Sequence, residues 1–146
     1  MSEGWPRHSV SVAAAVVRED GCVLAIQRRD NGVWEPPGGI LELGETITDG
    51  LRREVREETG LEVEPEALTG VYKNVAQGIV ALFFRCSVTG GTEATSEESQ
   101  AVRWLTPQEI KRDMPEMMAI RVFDAIDANG PRIRAHDGKN LLPEQF

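Results

Sequence analysis

Residues 39 to 61 read GILELGETITDGLRREVREETGL, and the rest of the chain is understood from this stretch. Thr46, followed three positions later by Asp49, opens a helical pattern as a weak capping box, Asp being shorter than the preferred Glu. Ile47, Leu51 and Val55 then recur at i, i+4 and i+8, and Gly60 stands where a left-handed C-terminal cap belongs. The spacing predicts a helix over residues 46–59. At ~100° per residue, Glu57 falls about 60° to one side of Glu54 and Glu58 about 40° to the other. The carboxylates of Glu54, Glu57 and Glu58 therefore share one face, bordering the apolar stripe, while Asp49, Arg52 and Arg56 point away from it. Gly50, one turn before Glu54, is read as leaving that surface uncrowded.

Carboxylates gathered in this way repel one another unless a cation neutralises them, and oxygen-only donors on a helix suit a hard ion such as magnesium or manganese. Metal-assisted phosphoryl chemistry is the sharp reading, with a carboxylate taking the proton of water. Spacing by itself equally describes a solvated helix face with weak surface ion pairs.

The longer pattern separates these readings. Gly39, five residues, Glu45, seven residues, Arg53-Glu54-Val55, one residue, Glu57-Glu58, one residue and Gly60-Leu61 form a fixed series. At average residue usage such a series arises by chance on the order of once in 10^8 starting points. It resembles the Nudix box at every fixed position. The resemblance implies an α+β fold, an α/β/α sandwich whose mixed β-sheet is flanked by helices. It also implies metal-dependent hydrolysis of a diphosphate bond in a nucleoside diphosphate linked to another moiety, with a nucleoside triphosphate and a nucleotide sugar as equal candidates.

Carried over position by position, the resemblance makes Glu54, Glu57, Glu58 and the Gly39 carbonyl ligands of magnesium or manganese. It makes Glu57 or Glu58 the group that activates water, and Arg53 and Glu45 the pair that orients the helix against the preceding loop. A further acid is expected in a loop before a Trp-containing strand; Glu97 and Glu98 precede Trp104, and Glu98 has the better spacing. Pro36, in place of the usual aliphatic residue, and Gly50, in place of a small Ala, depart from the common pattern. Gly50 costs helix stability by about 1 kcal/mol relative to Ala. Signatures of the subfamilies acting on NADH, coenzyme A, dinucleoside polyphosphates or ADP-ribose are not seen downstream. The alternative function is a catalytically silent nucleotide-binding or regulatory module, against which the intact Glu54, Glu57 and Glu58 speak.

Outward from the box, residues 9–17 and 22–26 read as strands joined at Asp20-Gly21, a pair suited to a hairpin turn. Arg28 and Arg29 end the second strand near the box and are expected to contact substrate phosphates, ordinary solvated arginines being the other reading. The following stretch, through Trp34 to Pro36-Pro37-Gly38-Gly39, is predicted to be irregular because the prolines lack donors. Further strands are predicted at 61–63, 70–74, 79–88 and 101–105. Thr106-Pro107-Gln108-Glu109 is a helix start with N-cap, N1 proline and N3 Glu. A last helix, 115–128, places Met118, Val122 and Ile126 on one stripe, and a partly ordered tail is expected over 131–146. Trp34, Tyr72, Phe84 and Trp5 read as core more readily than as base-stacking platforms. His8 and His136 read as structural or solvated.

Length suits one domain over residues 1–146. A net charge of -8, from 24 acidic and 16 basic residues, repels polyanions and argues against nucleic-acid binding while allowing a small phosphorylated ligand. Cys22 and Cys86 lie in apolar stretches without a disulfide pattern, which suits a reducing compartment. The N-terminus shows no signal-peptide pattern, and the apolar run 79–84 is far below the ~18 residues of a membrane span. Cytoplasmic location is expected. The resemblance allows a homodimer, although nothing in the sequence marks an interface.

Overall fold

A computed structural model describes residues 4–127 and 129–143. The predicted end of the last helix at residue 128, the tail residues 144–146 and the first three residues of the chain lie outside the described residues. Along the chain run β1 (Ser9–Val16), β2 (Val23–Arg28), β3 (Trp34–Glu35), β4 (Gly38–Ile40), α1 (Ile47–Thr59), β5 (Leu61–Asn74) and β6 (Ile79–Gly91). There follow β7 (Ser99–Leu105), α2 (Pro107–Asp113), α3 (Glu116–Asp127), β8 (Arg132–His136) and β9 (Leu141–Leu142). One sheet has the order β4-β1-β6-β5-β8-β9 and a second β3-β2-β7. The first is mixed, because β1 runs parallel to β6 and β5 parallel to β8 while its other pairs are antiparallel.

Side chains alternate across a strand, and β1 and β2 use this to feed two cores. Val12, Ala14, Val16 and Leu24 pack with Leu51 and Val55 of α1. Ala15, Val23 and Ala25 pack on the other side with Ile110 of α2 and Ala119, Val122 and Ala125 of α3. Helices therefore cover both faces, giving the α+β sandwich that the box implies. The termini of α1 follow its local chemistry: Thr46 Oγ1 accepts the Asp49 N–H at 3.2 Å, and Gly60 adopts φ 78°. The capping box of α2, Thr106 with Glu109, has both of its arms in place.

The structure differs from the sequence reading at several places. Residues 34–40 carry the short strands β3 and β4; Pro36 and Pro37 fall in the gap between them, so neither ladder needs the missing N–H. Residues 61–63 and 70–74 belong to one strand, β5, whose bulges at Glu62/Val63, Pro65/Ala67 and Leu68/Gly70 absorb Pro65. The tail is not loose up to residue 142, because β8 joins the edge of β5 and β9 joins β8. In α3 the inner face is Ala119, Val122 and Ala125, leaving Ile126 exposed. Tyr72 is buried, and Trp34 and Phe84 pack against the two cores, whereas Trp5 is 65% exposed. Among the described residues no helix is long and apolar enough to cross a membrane.

Candidate active site

The antiparallel register of β4 on β1, Gly38 opposite Ala13 and Gly39 opposite Val12, lays the glycine pair beside α1. A Cβ on Gly38 would lie 2.4 Å from the Val12 carbonyl oxygen, and one on Gly39 would lie 2.3 Å from Glu54 Oε2. Only glycine lets this backbone run so close to both the strand and the Glu54 carboxylate. The Gly38 N–H donates to Glu58 Oε1 at 2.7 Å, tying the last turn of α1 to the same strand.

Arg53 ties the first half of α1 to the loop that precedes it. Its Nε and Nη2 donate to the two oxygens of Glu45 at 2.9 and 2.6 Å, a bidentate pair. Its Nη1 reaches Glu54 Oε1 at 2.9 Å and Glu57 Oε2 at 3.3 Å, and Nη2 also donates to the Ile40 carbonyl at 3.3 Å. Glu45 in turn accepts the Glu42 N–H at 2.9 Å, and the Arg53 guanidinium holds its carboxyl down to about 2. Gly50 belongs to this junction rather than to an open surface. A Cβ there would meet Leu41 Cδ1 at 2.4 Å and Glu45 Oε1 at 2.8 Å, so the loop packs down directly onto the helix at Gly50, and a larger residue would require these side-chain ends to shift.

Glu58 is 5% exposed and Glu54 half-buried, while Glu57 faces solvent. Burial pushes the Glu58 carboxyl up to about 8 against the pull of the Gly38 N–H, with the charges of Glu54, Glu35 and Glu98 adding to the rise. Burial likewise raises Glu54, opposed by Arg53 and assisted by Glu57 and Glu98. Glu98 thus acts electrostatically on both residues from its loop. That loop is stitched in place: Ser99 Oγ donates to the Glu58 carbonyl at 2.7 Å, and Arg29 Nη2 donates to the Ser96 and Ser99 carbonyls at 2.9 and 3.2 Å. Arg28 instead pairs with Asp30 at 2.7 Å and Glu35 at 3.2 Å and lines a cleft of about 320 Å³ shared with Gly38 and Gly39.

The structure therefore brings Gly39, Glu45, Arg53, Glu54, Glu57 and Glu58 together, with Glu98 within reach of their charge. It does not gather three acidic, His or Cys side chains around one point among the described residues. Arg53 occupies the space between Glu45, Glu54 and Glu57, and Glu58 turns to the Gly38 N–H. The donors still fit a hard cation: they are all oxygens, and the half-buried Glu54 and buried Glu58 are held near other acids, a repulsion that such an ion relieves. Glu35, Ser99, Arg121 and His136 were not read as site residues from the sequence. Glu35, four residues before Gly39, and His136, held by the pairing of β8 with β5, line the same cleft as Gly38 and Gly39.

A family model described as "NUDIX domain" matches residues 7–126. The chain belongs to the Nudix family of hydrolases. Among the relatives of this Nudix domain, a "MutT-like protein" of Streptomyces ambofaciens is 62% identical over 138 residues, covering 94% of this chain and 90% of that protein. The human "8-oxo-dGDP phosphatase" is 42% identical over 93 residues, 62% of this chain but only 28% of the human protein. The crystal structure of an ADP-ribose pyrophosphatase from Streptococcus suis superposes with a TM-score of 0.76 at 22% identity, covering 87% of this chain and 99% of that one, which speaks for the fold.

The two glycines separate site from scaffold in a testable way. In Gly39→Ala the new methyl group meets the mobile end of Glu54, so turnover is expected to fall about tenfold or more with the melting temperature nearly unchanged. In Gly38→Ala it meets the Val12 backbone, so the melting temperature itself is expected to fall. Kinetics and thermal melts of both variants check this.

Proposed function

We propose that this Nudix domain hydrolyses a diphosphate bond in a nucleoside diphosphate linked to another moiety, with magnesium or manganese held by Glu54, Glu57 and Glu58, the Gly39 carbonyl and Glu98. The observation that carries the reading is the buried Glu58 beside the half-buried Glu54, both set against Gly38-Gly39, a glycine pair that lines a cleft. The ion, when bound, supplies the positive charge that offsets these carboxylates and polarises the phosphoryl oxygens. Glu57 or Glu58 takes the proton of the attacking water as its oxygen bonds to phosphorus and the bridging P–O bond breaks. Glu45 and Arg53 keep the loop and α1 in register for that step. Arg28, at the cleft wall, contacts a phosphate of the substrate, and Arg29 acts through the loop that carries Glu98.

A nucleoside triphosphate and a nucleotide sugar are the leading substrate classes, and the name of the human relative, 8-oxo-dGDP phosphatase, adds nucleoside diphosphates. The acidic net charge of -8 favours such small ligands over polynucleotides. Free Cys22 and Cys86 accord with a reducing cytoplasmic setting.

The test is phosphate release, with inorganic pyrophosphatase or a phosphatase as the coupling enzyme, from nucleoside di- and triphosphates, nucleotide sugars and dinucleotides, with magnesium or manganese and again with chelator. Turnover of at least one class, abolished by chelator, is expected. Turnover indifferent to chelator would remove the metal role, and silence across the panel with folded protein would favour a binding module.

A further inference from the structure

The floor of the cleft lies away from the carboxylates and is built from Arg121 of α3 and His136 at the end of β8, with Tyr72 and Glu35 beside them. Arg121 is 8% exposed and His136 6%. The Arg121 guanidinium lies 4.9 Å over the Tyr72 ring, and its Nε has no hydrogen-bond partner among the described residues. The nearby carboxylates are engaged elsewhere. Glu35 accepts from Arg28 at 3.2 Å, and Asp124 is held by Arg134 at 2.7 and 2.8 Å and by the Tyr72 hydroxyl at 2.8 Å. Among the described residues Arg121 makes no ion pair. A buried cation left without a carboxylate partner is unfavourable to the folded protein by itself.

His136 sharpens the point. The Gly138 N–H faces its Nδ1 at 3.1 Å, and Arg121 Nη2 lies 3.1 Å from its Nε2. A neutral imidazole accepts at only one nitrogen and donates from the other. With donors at both nitrogens, one N–H of this group meets another N–H instead of an acceptor. Together with Arg121 Nε, the cleft floor holds more donors than acceptors, in the same cleft that Gly38 and Gly39 line. A cleft of about 320 Å³ is at the small end of ligand pockets, which suits one nucleoside-sized or sugar-sized moiety.

We propose that Arg121 and His136 form a specificity subsite that binds a hydrogen-free acceptor oxygen of the moiety attached to the diphosphate. Two sources share this chemistry: the keto oxygen of a nucleobase and the carboxylate or phosphate oxygen of a charged substituent. The proposal rests on the hydrolase reading only in taking the cleft's occupant to be part of a diphosphate substrate.

Calorimetric titration in chelator tests it without any turnover. Inosine against adenosine 5′-monophosphate and uridine against cytidine 5′-monophosphate form the keto arm; uridine diphosphate glucuronate against uridine diphosphate glucose forms the anionic arm. In at least one arm the oxygen-bearing partner is expected to bind at least about tenfold more tightly, and the arm that discriminates names the source. Arg121→Met should abolish the discrimination and His136→Phe should weaken it. The melting temperature of Arg121→Met should hold or rise, since an apolar side chain of similar length replaces an unpaired buried charge. A purely structural Arg121 would instead lower it and leave the ligand preference intact. If Arg121→Met does not fold, Arg121→Gln is read in the same titrations. Equal binding in both arms, no measurable binding of any ligand, or a preference that survives loss of Arg121 overturns the proposal. Discrimination in these titrations by a protein that hydrolyses nothing would defeat the hydrolase reading and leave the subsite standing.

Discussion

Replacing Glu58 by Gln is expected to lower turnover by at least ~10²-fold while making the cation-free protein more resistant to heat above neutral pH. Both effects come from the same burial. The Glu58 carboxyl is enclosed between α1 and β4, and desolvation with neighbouring Glu54, Glu35 and Glu98 pushes it up to about 8. Its ordinary value is 4.5, so between those limits the folded protein keeps a proton that the unfolded chain has released. Stability therefore falls as pH rises from about 4.5 to about 8, by an amount on the order of a few kcal/mol, and a Gln lacks that loss. The Gln oxygen still accepts the Gly38 N–H, so the fold survives. The measurement is kcat with magnesium beside melting temperature against pH in chelator. A variant with near-normal rate would take Glu58 out of the reaction, and one whose melting temperature falls at pH 8 would contradict the electrostatic account. Glu57→Gln should cost a similar factor in rate without the stability gain, because Glu57 is exposed.

Arg53→Ala is expected to remove activity and lower the melting temperature by about 3–6 °C. The rate effect follows from geometry: Arg53 holds Glu45, Glu54, Glu57 and the Ile40 carbonyl in one arrangement. Without it, Glu54 and Glu57 lose their common cation and the loop of residues 40–46 loses its bidentate tie to the helix. The stability effect is smaller than a fully buried network would give, since the guanidinium is partly exposed, and about 1–2 kcal/mol is reasonable. Arg53→Lys keeps the charge but not the planar fork, so it should recover stability more than rate. An unchanged melting curve for Arg53→Ala would argue against the orienting role.

Where the sequence reading held, local chemistry decided the structure. The apolar spacing of Leu51 and Val55, the Thr46 cap and the Gly60 stop all act within a few residues, and α1 runs Ile47–Thr59 accordingly. The α2 capping box is equally local. Where the reading fell short, partners distant in sequence decided it. The irregular stretch before the box became β3 and β4 because β2 and β1 were there to pair with. The tail became β8 and β9 because β5 offered an edge. Gly50, taken for open space, is instead the point where Leu41 and Glu45 close on the helix. No local signal announces either outcome, since strand pairing and loop packing are satisfied by neighbours that the local sequence does not contain.

The sequence by itself determined the family, the α+β class and the carboxylate-bearing helix, because a fixed series of Gly, Glu and Arg at set spacings can be read without knowing what surrounds it. It also placed three glutamates on one helical face, because the α-helix has a fixed period. Only the tertiary structure decided how unequal those glutamates are: Glu58 buried against Gly38, Glu54 pressed to Gly39 and held by Arg53, Glu57 left to solvent. It gave Glu98, already expected at the site from its place before Trp104, and Glu35 their electrostatic reach, and it alone set Arg121 beside His136 on the cleft floor. The physical reason is that desolvation and ion pairing depend on what packs across the gap, and for these residues the packing partners lie on other strands and helices.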